Sequence, residues 1–158
     1  MAELIIARIV HVLGVVLWIG GVAMVTTVLL PVTRRLVSPA ERVQFFERIE
    51  AGFAHQVRWT VLITGLSGFY LVHRLDAWGR FQQVSYWWMH AMVLVWGLFM
   101  LMLFVLEPLW LHRTFERSAQ TRPDATFKLI QRLHWVLLIV SLLTIAGAVA
   151  GSHGWLPG

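Results

Sequence analysis

The chain has 158 residues, 58% of them hydrophobic and only 13% charged, with a mean hydropathy of +0.71, which excludes an ordinary water-soluble domain and fits an integral membrane protein. The absence of Cys excludes c-type haem attachment, iron–sulfur clusters and thiolate metal sites. The net charge of +5 comes from cations beside the apolar runs, where membrane sidedness accounts for it, so no nucleic-acid partner is read from it.

Four apolar runs are expected as membrane helices, each satisfying its own backbone in lipid. The first, over residues 4–31, carries one histidine, His11, and is expected to leave the membrane at Pro31 before Arg34 and Arg35. It is too long for a secretory leader and is read as retained. Ser38 to Glu41 reads as a capping box opening helix 2, expected over 39–74, with an amphipathic first part containing Val43, Phe46, Ile49, Phe53 and Val57. A polar connection follows, then helix 3 over 85–111, a loop from His112 to Asp124, and helix 4 over 125–151. The fold expected is all-α: an integral membrane four-helix bundle, up-down, forming a single transmembrane domain over 1–158.

Ten of the thirteen Lys and Arg residues fall in or beside the two connections after helices 1 and 3. That bias puts these connections in the cytoplasm and both termini outside. Trp78, Trp87, Trp88 and Trp155 suit an outer aromatic belt, and Trp59, Trp110 and Trp135 an inner one. Arg outnumbers Lys twelve to one, as in a GC-rich bacterium, and the expected location is a bacterial inner membrane.

The histidines recur at an interval of 79 or 80 residues: His11 with His90, His55 with His134, His73 with His153. Pro31 and Pro108 follow at a similar interval, which suggests a tandem repeat of two helical hairpins. In an up-down order helices 1 and 3 lie diagonally, as do 2 and 4, so His11 can face His90 and His55 can face His134. Paired imidazoles at matching depth are what axial ligation of haem b requires. The cofactor expected is therefore one haem b on His11 and His90, or two with His55 and His134. Arg8 and Arg74 stand where propionates would emerge, and Tyr86 one turn before His90. A lone membrane His more often only bonds a neighbouring helix, and solvated helix ends account for His73 and His153. His112, without a counterpart, reads as interfacial.

Copper is the competing metal, because Met89, His90 and Met92 cluster in a chain whose only soft ligands are thioethers. Glu107 beside Pro108 reads as an interfacial partner for Arg113 or Arg35. Nucleophilic triads and phosphate loops are not visible. Bis-His iron suits electron transfer, with a quinone or a redox partner protein exchanging electrons with an outer acceptor. Lipid surrounds the chain, and a homo-oligomer remains open.

The stretch HVLGVVLWIGGVAMVTTVLLP, with VLITGLSGFYLV in helix 2, resembles the first two helices of CopD-like copper-resistance membrane proteins. The chain is also similar to the four-helix HemJ-type protoporphyrinogen oxidases. The first resemblance implies copper transport or buffering. The second implies haem b on His11 and porphyrinogen oxidation, with His90 at the third-helix basic position.

Overall fold

The computed structural model describes residues 1–155, and their side chains except those of residues 108 and 110–116. Helix α1 runs over Ala2–Leu36, α2 over Arg42–Arg74, α3 over 87–121 and α4 over Pro123–Ser152. Two 3-10 turns, Trp78–Gln82 and Val84–Tyr86, join α2 to α3. The described residues are all-helical, and three helices, Ala2–Leu36, Val84–Glu107 and Pro123–Ser152, are long and apolar enough to cross a membrane. α2 is as long, at 33 residues, but more polar, with Glu47, Arg48, Glu50, His55 and Arg58 in its first half.

Pro31 does not end α1, and helix 3 does not stop near Leu111. Proline lacks an N–H and crowds the carbonyl four residues back, but a wider π turn re-satisfies the backbone it disturbs. α1 becomes a π turn at Val25–Leu29, with the Leu30 N–H bonded to the Val25 carbonyl, and then resumes as α-helix to Leu36. Thr26 and Thr27 donate hydroxyl bonds of 2.7 Å each to the Val22 and Ala23 carbonyls. α3 makes the same adjustment at Met102–Leu111, around Pro108, and continues as α-helix through Thr121. The expected loop after residue 111 is thus mostly helix, and only Arg122 separates α3 from α4.

The capping box also resolves differently. Ser38 Oγ donates to Glu41 Oε2 at 2.5 Å, so the two side chains satisfy each other, and α2 starts at Arg42 without a side-chain cap. Thr121 bonds back to Ser118, and Asp124 pairs with Arg42 at 2.7 Å.

Antiparallel neighbours follow from the cross-helix contacts. Glu3 pairs with Arg74, and His11 bonds Thr64, so the start of α1 lies beside the end of α2. Trp96 Nε1 donates to the Val61 carbonyl and Arg58 pairs with Glu107, which sets α3 against α2. Gly147 and Gly151 of α4 lie under the rings of Trp87 and Trp88 at the start of α3. The Arg42–Asp124 bridge joins the first turns of α2 and α4. Between the helices, Trp18, Ile19, Val22, Val57, Val61, Val95, Phe99, Leu137 and Leu138 form the larger core, and Val25, Leu30, Val43, Phe46, Phe127 and Ile130 a second one nearer the 36–42 turn.

Candidate functional site

Above the larger core, towards the start of α1, the helices part around a cavity of about 640 Å³. All four contribute walls, and the α2–α3 turn lies over it through Ala77, Arg80 and Phe81. Asp76, at φ 49°, lets the chain leave α2 in the left-handed region, which Asp tolerates better than most residues. The Ala77 N–H then closes back on the Val72 carbonyl at 2.9 Å. Phe69 stacks on Trp78, and Trp78 meets Phe81, which holds the turn down on the helix ends.

The walls are apolar except at a few points. His11 is on the wall, with Nδ1 2.9 Å from the Thr64 carbonyl and 3.3 Å from Ser67 Oγ. A carbonyl can only accept, so Nδ1 carries the proton and Nε2 keeps its lone pair. This is the tautomer of a metal-ligating imidazole held by an outer carbonyl. The ring fits because Gly68 has no Cβ, which would stand 3.0 Å from His11 Cε1. Gly65, one turn earlier, gives the same room to Trp96. The Thr-Gly-x-x-Gly run of α2 therefore seats one side chain from α1 and one from α3.

Arg8 and Arg80 line the same cavity at the end near the turn. The guanidinium of Arg80 lies 5.3 Å from the Tyr86 ring centroid. Arg74, expected at this mouth, is instead paired with Glu3 at 3.4 Å. At the floor, Trp18 stands edge-on to Phe99 with centroids 4.8 Å apart. Trp18 and Ser141 are wall residues, but Trp18 Nε1 and Ser141 Oγ, like Thr33 Oγ1 away from the cavity, are fully buried and have no hydrogen-bond partner among the described residues.

His90 does not join His11 on this wall. Its Nε2 lies 2.9 Å from the Phe81 carbonyl and its Nδ1 3.3 Å from the Tyr86 carbonyl, with the Phe81 ring edge-on at 5.4 Å. The shorter contact takes the Nε2 proton, and the other nitrogen points back along its own helix. The reason is local: the 78–86 turn before α3 offers the Phe81 carbonyl. Thr64 and Thr144 both line the cavity and both bond the carbonyl four residues back, at 2.7 and 2.8 Å.

The inner pair is also apart. His55 is exposed and its Nε2 accepts from Trp59 Nε1 at 3.2 Å. His134 donates from Nδ1 to the Ile130 carbonyl at 2.9 Å, with Nε2 3.7 Å from Glu50. It lines a small separate hollow with Glu50 and Glu107. The Glu107 partner that is described is Arg58, at 3.1 Å, a residue absent from the sequence expectation of Arg113 or Arg35. The side chains of His112, Trp110 and Arg113 lie outside the described ones. Trp88, expected in an outer belt, is buried against Gly151 and lines the cavity, as do Met89 and Met92. No group of three or more His, Asp or Glu residues disposed to hold a metal occurs among the described residues.

These residues fit a haem in outline. The volume is within the range of cofactor sites, roughly 300–1,000 Å³. One imidazole has the ligating tautomer, the walls are apolar, and two guanidiniums stand at the mouth where carboxylates would reach them. Comparisons with protein-family models, curated proteins and solved structures return no match.

Proposed function

We propose that the protein is a membrane b-type haem protein that holds one haem through His11 and passes electrons between a quinone or a redox partner protein and an acceptor on the outer side. The observation that carries this reading is the Nδ1 bond of His11 to the Thr64 carbonyl on the wall of a cavity lined by four helices. Haem, when bound there, supplies one-electron chemistry. Arg8 and Arg80 bind its propionates, Thr64 and Gly68 orient the imidazole, and the apolar walls keep water away. The second haem and the ligand roles of His55, His134 and His90 are not retained, because His55 Nε2 accepts from Trp59, His134 Nε2 faces Glu50 in a separate small hollow, and His90 Nε2 donates to the Phe81 carbonyl. On this reading α2 also crosses the bilayer, completing an up-down four-helix bundle in the bacterial inner membrane. The Lys and Arg bias then places both termini on the outer side.

Detergent-purified protein should show a haem b spectrum on reduction, with one haem per chain. His11→Ala should abolish it and His90→Ala should retain it. A colourless protein after expression with added haem would end the proposal. Copper found in place of iron, held by His11 with the thioethers of Met89 and Met92, would move the protein to copper handling.

A further inference from the structure

The haem reading leaves the position opposite His11 to be assigned, and helix register assigns it. α1 and α3 are both antiparallel to α2 and therefore run in the same direction. The ring contact of Trp18 with Phe99, below the cavity, sets their relative height. Seven residues make two turns and return to the same helix face. Two turns towards the mouth from Trp18 is His11, and two turns towards the mouth from Phe99 is Met92. Both line the cavity. α2 gives a second measure of level: Thr64 bonds His11, and Gly65, the next residue, lies against Trp96, one turn below Met92. The comparison brackets His11 between Met92 and Trp96, and only Met92 of these two has a metal-ligating atom. Met89 is a turn nearer the mouth and almost fully buried, at 4% exposure. His90 is two residues from Met92, on another face of the helix, and is tied to the Phe81 carbonyl.

We infer that the Met92 thioether occupies the coordination position trans to His11, so that the haem is held by a His/Met pair drawn from α1 and α3. The inference rests on the haem reading given above. A thioether stabilises ferrous over ferric iron relative to a second imidazole, so the pair raises the reduction potential above that of a bis-His site.

The test is spectroscopic, on the full-length protein in detergent. Oxidised wild-type protein should show the weak near-infrared thioether-to-iron charge-transfer band. Met92→Leu, a swap of similar volume that a packed helix tolerates, should lose that band, turn largely high-spin and bind carbon monoxide when reduced. Met89→Leu should keep the wild-type spectrum. Met92→His should restore a low-spin haem with a lower midpoint potential, which separates loss of a ligand from loss of folding. A Met92→Leu protein that keeps the band and stays closed to carbon monoxide overturns the inference while leaving haem on His11. A wild-type protein without haem overturns both.

Discussion

His11 sits on the cavity wall only because of what the neighbouring helix gives up. Thr64 offers its carbonyl to Nδ1, and Gly68 leaves the space the ring fills. Gly68→Ala puts a methyl 3.0 Å from Cε1 and 3.3 Å from Nδ1, and should push the ring off the carbonyl. Helix propensity favours Ala by about 1 kcal/mol, so thermal unfolding should change little while haem affinity, measured by titration of haem-free protein, falls several-fold. Unchanged affinity would show that the ring has slack. Gly65→Ala is different in kind, because its methyl would overlap the Trp96 indole, whose N–H is held by the Val61 carbonyl. Overpacking of this sort costs about 1–3 kcal/mol, and it should appear as a lower unfolding midpoint.

At the scale of one residue the sequence showed which histidine was unusual but not which would face the cavity. His11 stood out as the single ionisable ring in its apolar run. His90 looked equivalent by spacing, yet its fate depends on the Phe81 carbonyl, a backbone atom in a turn that side-chain spacing does not describe. The Met89-His90-Met92 cluster was legible as residues, but its division between two helix faces required the contact between Trp18 and Phe99.

The helical class was legible, but the helix ends, and whether the second helix is apolar enough to span, were not. The expectation that proline closes a span is sound for an isolated α-helix, but both prolines are absorbed by π turns and the helices run on. Val25–Leu29 carries two threonines whose hydroxyls take up the Val22 and Ala23 carbonyls, and this help is visible only once the local geometry is known. Pro31→Ala should leave the far-ultraviolet circular dichroism amplitude essentially unchanged, since residues 32–36 are already helical. A clear gain in helical signal would mean that proline ends the helix after all. Turn residues tell the same story at the other end. The 74–83 segment was read as polar connection, but its Phe and Trp residues fold it onto the cavity.

The described residues are all-helical, with three helices long and apolar enough to span a membrane, and composition alone announced that class. The place of α2 is the question composition leaves, because charges fill its first half. The absence of Cys makes a clean experiment possible. Single substitutions Ser38→Cys and Gly79→Cys, one on each side of α2, should differ in labelling by a membrane-impermeant thiol reagent. Gly79→Cys should label in intact cells, and Ser38→Cys only after lysis. Labelling of both from the same side would place α2 along the membrane surface and dismantle the four-span arrangement. The half-matched repeat belongs at this scale too. Thr64 and Thr144 keep their positions in the two hairpins, while the turn before α3 breaks the symmetry at the histidine.

The central claim is that His11, and not His90, ties a haem into the cavity. The most direct measurement is the dithionite-reduced absorption spectrum of three purified proteins: wild type, His11→Ala and His90→Ala. A haem b spectrum in wild type and His90→Ala, lost in His11→Ala, is the result expected. Haem retained in His11→Ala, or lost equally in both variants, would contradict the account.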